Sequence, residues 1–338
     1  MEKTVRVAAV QAEPVWMDLA GGIDKAIGYI EEAARRGADL VTFGENWLPG
    51  YPWWIWLDSP ADGMRFVPQY AANAMTRDGD EMARLQAAAA ANRIHISTGF
   101  TEREGGSLYM SQALIADTGE LMSVRRKLKP THVERSVFGE GDGSDLQVVY
   151  TDLGRIGGLC CWEHFQPLTK YALASMDEEI HVAAWPSFSI YRGAATALSP
   201  DVNTSASLMY AVETQSFVVA PTSVVGQAAH DLFCDTETKR QLLKLGGGFA
   251  RIIGPEGSQL AEPLGETEEG ILIADLDPAL RAIAKSAADP VGHYSRPDVL
   301  RLQFNQNPAP RVVEARTAAV AEPQYDEIET PVDVSQTQ

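Results

Sequence analysis

Three short segments carry side chains whose types and spacing could do chemistry. In the first, Phe43-Gly44-Glu45-Asn46-Trp47-Leu48-Pro49-Gly50-Tyr51-Pro52-Trp53-Trp54, one carboxylate stands among aromatic and apolar residues. Taken out of water there, Glu45 would have a raised pKa, which suits a general base. The alternative is a carboxylate that caps a loop. In the second, Arg125-Arg126-Lys127-Leu128-Lys129-Pro130-Thr131-His132-Val133-Glu134, four cations fall within five residues. Such runs usually mark a solvated strand end. Strand alternation would put Lys127 and Lys129 on one face and Arg126 and Leu128 on the other. An inward lysine could stabilise a developing anion or acidify a thiol. The third, Gly157-Gly158-Leu159-Cys160-Cys161-Trp162-Glu163-His164-Phe165-Gln166-Pro167, ends a strand on two cysteines before a helix. A nucleophile at that strand-to-helix turn gains from the helix N-terminus and from free backbone N–H groups beside it. Strand neighbours face opposite ways, so only one can serve, and Cys161 is the one at the turn. Both could instead be small core hydrophobes. A metal held with Glu163 and His164 lacks the C-x₂-C spacing and a second cluster.

Each segment follows an expected strand, so the surrounding elements must position it. Val5 to Gln11 and Asp39 to Phe43 read as strands, joined by a helix over Gly22 to Arg36 that stops at Gly37. Asp80 to Asn92 reads as a helix and Ile94 to Gly99 as a strand. Turn residues predict hairpins over Leu108–Arg126, Leu146–Cys160 and Phe249–Leu264. Helices are expected at Pro167–Met176, Asn203–Thr214 and Pro278–Ala288, and strands at Ile180–Trp185, Phe217–Pro221 and Gly270–Leu276. Helices alternating with strands and hairpins imply an α/β fold of two mixed sheets with helices on the outer faces. Composition changes only near residue 303, where an acidic, proline-containing stretch begins. We therefore divide the chain into a domain over 1–302 and a tail over 303–338, either disordered or crossing to a neighbouring subunit.

The chain has 338 residues, with 45% hydrophobic and 22% charged, an ordinary globular balance that excludes wholesale disorder. With 28 basic against 46 acidic residues the net charge is −18, which disfavours nucleic acid and anionic membranes as partners. Three cysteines, two of them adjacent, argue against a disulfide framework and for a reducing, cytoplasmic setting. No signal peptide or membrane span is visible in the sequence.

Taken in order, the three segments resemble the nitrilase superfamily of carbon–nitrogen hydrolases. The wording is most similar to its true nitrilase branch, and within that to bacterial arylacetonitrilases. The likeness is carried by Arg126 to Arg135, Gly139 to Ser144, Cys161 to Pro167 and Trp185 to Ser189, and extends from about Val5 to about Arg301. The resemblance implies a four-layer αββα sandwich with a C-terminal extension. It implies Cys161 as nucleophile, Glu45 as general base, Lys127 as the catalytic lysine, and Glu134 as a second glutamate that holds the lysine. It implies hydrolysis of a nitrile to the carboxylic acid and ammonia, through a thioimidate and an acyl thioester, with no cofactor and no metal. Amidase, carbamoylase or cyanide dihydratase activity is the alternative within the superfamily, and a catalytically silent scaffold is the alternative outside it. Gly44 and Asn46 stand where relatives usually carry proline and then alanine or serine, and glycine is expected to loosen the turn that aims Glu45. Tyr51, Trp53, Trp54 and Trp56, with Trp162, Trp185 and Phe188, supply apolar surface near the chemistry. Of these, Tyr51, Trp54, Trp162, Trp185 and Phe188 are expected to touch an apolar or aromatic nitrile. His132, His164 and His293 are expected to be structural. The resemblance also implies a homodimer that extends into helical oligomers, and apolar residues on the helices after Cys161 and at Asn203–Thr214 fit such an interface.

Overall fold

The computed structural model describes residues 1–313. Met1–Pro308 form one compact unit, and Ala309 to Val313, the described part of a second, carry no helix or strand. The compact unit thus runs past residue 303: Leu302 and Phe304 pack against a core cluster. The rest of the expected tail, from residue 314, lies outside the described residues.

In chain order the strands are β1 (Val5–Ala12), β2 (Leu40–Thr42), β3 (His95–Glu104), β4 (Ser107–Ile115), β5 (Leu121–Arg126), β6 (Phe138–Gly139), β7 (Val148–Thr151), β8 (Gly154–Cys160), β9 (Ile180–Ala184), β10 (Phe217–Ala220), β11 (Thr222–Ser223), β12 (Arg251–Ile253) and β13 (Gly270–Leu276). They form two mixed sheets. One has the order β11-β1-β2-β3-β4-β5, with β13 antiparallel to β1 and β6 beside β4; the other has the order β12-β10-β9-β8-β7.

Side-chain alternation makes the layers. In β1, Val5, Val7 and Ala9 enter the core between the sheets, while Ala8, Val10 and Ala12 face outward. Both faces are largely buried, so the run is apolar apart from Arg6, which is exposed, and Gln11, whose buried amide bonds to backbone. The outward face of the first sheet meets the helices Leu19–Arg35 and Asp80–Asn92 through Ile23, Ala26, Ile30, Met82 and Leu85. The outward face of the second meets Pro167–Ser175 and Pro200–Thr214 through Leu173, Ala206, Tyr210 and Ala211. Ile156, Val182, Phe217 and Val219 close the inter-sheet core from the second sheet. The layers are α, β, β, α, as expected. No helix among the described residues is long and apolar enough to cross a membrane.

The differences from expectation have physical reasons. β3 continues to Glu104, beyond the expected end at Gly99. Its second half is polar, but Glu102 is buried between Arg77 and Arg126, so ion pairing rather than hydrophobicity supports it. The expected strand over Gln259–Leu264 reduces to a single bridge between Ile253 and Gln259; Pro263 lacks the N–H that a ladder needs. Short helices at Trp54–Leu57, Pro60–Gly63, Val67–Ala72, Gln227–Phe233 and Glu237–Leu242 add to the expected ones and are too brief to display a helical period in the sequence. The turn after β8 is a 3₁₀ turn over Cys161–Phe165, and the α-helix starts only at Pro167. Cys161 is therefore not at an α-helix N-terminus.

Candidate active site

Four strand ends converge. β2 leads to Glu45, β5 to Lys127, β8 to Cys161 and β9 to Trp185. The two sheets are tied there by the Glu45 N–H, which donates to the Trp185 carbonyl at 3.1 Å. Gly44 makes this approach possible: a Cβ on it would stand 2.5 Å from the Trp185 oxygen. The glycine expected to loosen the turn instead lets it be pinned. A Cβ on Gly99 would likewise meet the Gly44 carbonyl, at 2.3 Å.

Lys127 is buried between two carboxylates. Its Nζ donates to Glu45 Oε1 at 2.9 Å and to Glu134 Oε2 at 2.7 Å. Glu134 Oε2 also accepts from the Thr131 N–H at 2.5 Å, and Oε1 from the Tyr51 hydroxyl at 2.6 Å. Trp56 Nε1 donates to that hydroxyl at 2.9 Å. Glu134 is thus fully engaged. Glu45 differs: its Oε2 is buried with no hydrogen-bond partner among the described residues.

The electrostatics follow from this geometry. Burial pushes the Glu45 carboxyl up to about 8, with Glu134 adding repulsion and Lys127 opposing. Burial works against the Lys127 charge, but Glu134 and Glu45 outweigh it and hold the ammonium well above its usual range. Burial, then Glu45, pushes the Cys161 thiol well up, against Lys127 and the Trp162 N–H. The neutral thiol is therefore the resting form, and a base is needed as it attacks.

The two cysteines part as strand alternation requires. Cys160 is buried beside Arg125, whose Nη1 lies 3.7 Å from its sulfur. Cys161 is half-buried and lines a narrow recess. Glu134, Tyr51, Trp162, Trp185 and Phe188 line the same recess, and so do Trp53 and Trp56. Trp54 does not: it stacks on Phe66 at 5.8 Å and meets the edge of Tyr70 at 6.2 Å, behind the wall. The helical turn Trp54–Leu57 sends neighbouring tryptophans in different directions. Asn203, Ile190 and Leu198 also line the recess and carried no signal in the sequence.

The cationic run is not a solvated strand end. Arg125 and Lys127 are buried, and only Lys129 lies out in solvent, paired with Glu140. Lys127 and Lys129 do not share a face, because β5 stops at Arg126 and alternation ends with it. Arg125 forms a bidentate pair with Glu163, at 3.0 and 2.8 Å. His164 is buried, stacked on Trp185 at 5.0 Å, with Nδ1 on the Cys161 carbonyl at 2.6 Å. Glu163 and His164 therefore turn to different partners and form no common metal cradle. His132 is exposed and stacks on Trp56 at 5.7 Å, and His293 is exposed far along the chain.

A thiol, a buried carboxylate with one oxygen left free of hydrogen bonds, and a lysine bracketed by acids, at the strand ends of an αββα sandwich, define a class. The chain belongs to the carbon–nitrogen hydrolase family, whose pattern matches residues 6–285, and its relatives there are nitrilases. It is 54% identical to a nitrilase of Pseudomonas syringae pv. syringae over 93% of this chain and 94% of that one. It is 55% identical to an aliphatic nitrilase of Rhodococcus rhodochrous, over 90% and 83%. It is 48% identical to an arylacetone-specific nitrilase of Alcaligenes faecalis, over 99% and 96%. Among solved structures, the fold is shared with a Saccharomyces cerevisiae member of branch 10 of the nitrilase superfamily, with a TM-score of 0.65 and 18% identity, over 84% of this chain and 94% of that one. It is also shared with an amidase from Nesterenkonia sp. AN1 carrying the acetamide moiety of fluoroacetamide on its active-site cysteine, with a TM-score of 0.62 and 19% identity, over 88% and 95%.

Proposed function

We propose that this protein hydrolyses an organic nitrile to the carboxylic acid and ammonia, with Cys161, Glu45, Lys127 and Glu134 as its catalytic residues. The observation that carries the reading is the buried Glu45–Lys127–Glu134 cluster behind a thiol at the base of an aromatic recess. Cys161 attacks the nitrile carbon while its proton passes to Glu45 and on to the nitrile nitrogen, giving a thioimidate. Lys127 and the Trp162 N–H stabilise the charge that develops on nitrogen. Glu45 then takes a proton from water as it adds. Loss of ammonia leaves an acyl thioester, and a second water releases the acid and restores the thiol. Loss of the thiol instead of ammonia gives an amide as a side product. No step calls for a metal or organic cofactor.

Tyr51, Trp162, Trp185 and Phe188, now with Trp53 and Trp56 in place of Trp54, favour an apolar nitrile, of the arylacetonitrile type or similar. Relatives named for aliphatic and for arylacetone nitriles fit that range. A reducing, cytoplasmic setting suits the free thiol. We further propose that the chain pairs with a second copy and extends into helical oligomers. Leu168, Leu208, Met209 and Val212 are exposed on the two outer helices beside the site, whereas Ala172 and Leu173 face the core. Light scattering checks this, and an active monomer of 36.7 kDa at dilute concentration would refute it.

The decisive experiment is a nitrile panel with ammonia read-out, including phenylacetonitrile and benzonitrile beside the matching amides, run with wild type and Cys161→Ala. Ammonia from nitriles by the wild type alone is expected. Faster release from amides would make it an amidase, and release by Cys161→Ala would remove the nucleophile.

A further inference from the structure

Cys161 sits at φ +49°, in the left-handed region that a side-chain-bearing residue keeps only when its surroundings demand it. Its carbonyl supplies the demand by accepting from His164 Nδ1 at 2.6 Å. In a trans peptide the carbonyl and the following N–H point in opposite directions. Tying the Cys161 carbonyl back to His164 therefore turns the Trp162 N–H the other way, onto the thiol, where that N–H is felt.

Behind His164 runs a closed series of buried groups. His164 Nε2 lies 2.9 Å from His181 Nε2, and His181 Nδ1 lies 2.8 Å from Glu178 Oε1. The Tyr210 hydroxyl donates to Glu178 Oε2 at 2.6 Å, and its ring stacks on His181 at 3.6 Å. All four side chains are at most 1% exposed. Four contacts need four hydrogens. Two neutral imidazoles and a phenol supply three, and an ionised carboxylate supplies none. The network therefore holds one further proton, which makes it electrically neutral, as its burial requires. The terminal carbonyl only accepts, so His164 carries its hydrogen on Nδ1. Its Nε2 must then accept, and His181 supplies the N–H.

We propose that His164, locked in this one tautomer by His181, Glu178 and Tyr210, is a positioning residue that aims the Trp162 N–H at the atoms reacting on Cys161. The proposal rests on the nitrile reading of that site. Side-chain geometry gives the test. An asparagine amide nitrogen takes the place of histidine Nδ1, and a glutamine amide nitrogen takes the place of Nε2. His164→Asn keeps a donor to the Cys161 carbonyl, and His164→Gln does not. On a nitrile that the wild type turns over, His164→Gln should lose about 10²–10³-fold in kcat with KM within about threefold, as for loss of one anion-stabilising donor. His164→Asn should recover most of that loss.

A second pair reads the far end. Glu178→Gln supplies the missing hydrogen from its own amide and satisfies every contact, so it should keep kcat within about threefold, while Glu178→Ala should follow His164→Gln. Should no nitrile be turned over, the nitrile reading fails by itself. The rate of Cys161 alkylation by iodoacetamide then replaces kcat, with the same ordering of variants expected. Equal loss in His164→Asn and His164→Gln, or loss in Glu178→Gln equal to that in Glu178→Ala, overturns the proposal.

Discussion

Two buried ion clusters stand side by side and come from the same strand ends. Arg125 and Lys127 leave β5 two residues apart, and Cys161 and Glu163 leave β8 two residues apart. Around Glu163 every acceptor is used. Oε1 accepts from Arg125 Nη2 and the Leu128 N–H, both at 2.8 Å; Oε2 accepts from Arg125 Nη1 at 3.0 Å and the Cys160 N–H at 2.8 Å. Burial disfavours its charge, but Arg125 and these N–H groups hold its carboxyl below the usual range. Around Glu45 the count is incomplete. One oxygen meets Lys127, the other has no hydrogen-bond partner among the described residues, and the carboxyl is pushed up to about 8. Equal burial thus has opposite consequences. A carboxylate with filled acceptors is a fastener, while one with a spare acceptor and a raised pKa is poised to take a proton.

The largest expected effect lies at the paired cysteines. Cys161→Ala should lose turnover by about 10⁴-fold or more, as for removal of any covalent nucleophile. Cys160→Ala should keep a large part of it, because that thiol belongs to the fastener. Comparable loss from both, with both proteins folded, would erase the distinction between the clusters. Next in size is the lysine pair. Lys127→Ala should cost about 10²–10³-fold in kcat. Lys129→Ala, whose charge pairs with Glu140 in solvent, should change stability by no more than about 0.5 kcal/mol and leave kcat alone. A worse outcome for Lys129→Ala would mean the wrong lysine has been placed in the site.

The fastener should show itself in stability. Arg125→Ala leaves Glu163 charged and buried without its cation, which costs about 3–5 kcal/mol. It also loosens the Leu128 and Cys160 N–H contacts on which both strand ends depend. Denaturant unfolding measures the loss. A cost below about 1 kcal/mol would mean that the pair relaxes into solvent and is no fastener.

Much of this was legible in the sequence, for identifiable reasons. The layers follow from periods that survive burial, as at Asp80–Asn92 and Gly270–Leu276, whose bounds match expectation. The candidate site residues were legible through the family resemblance, with strand position in support: Lys127 and Cys161 directly follow β5 and β8, and Glu45 stands three residues after β2. Burial of Arg125 was not, since a run of cations looks solvated unless its partner, Glu163, is known to lie across the sheets. The His181–Glu178–Tyr210 series was hidden for the same reason: its contacts span strands and helices, and no spacing announces them. The capping pattern Thr131-x-x-Glu134 did offer a signal, since the Thr131 N–H contact is part of what holds Glu134 toward the lysine. Trp54 shows the limit at the recess, where composition supplies the aromatic wall and only the turn decides which ring faces inward.

The smallest expected effect is a shift of a pH midpoint, and it bears most directly on why Glu45 differs from Glu163. Glu45 must be ionised to accept the thiol proton. Its carboxyl is raised, so kcat/KM should climb as pH rises through a midpoint near about 8, rather than near the ordinary glutamate value of about 4.3. Burial is the chief cause and Glu134 repulsion adds to it. Glu134→Gln removes that repulsion while keeping an amide oxygen for the Tyr51 hydroxyl. It also releases Lys127 to serve Glu45 alone. Both changes favour the ionised form of Glu45, so the midpoint should move to lower pH even as kcat falls. An acid limb near the ordinary glutamate value in the wild type would mean that Glu45 is as well satisfied as Glu163. A midpoint unmoved in Glu134→Gln would leave burial alone as the cause, and an upward move would reverse the sign that the geometry assigns to Glu134.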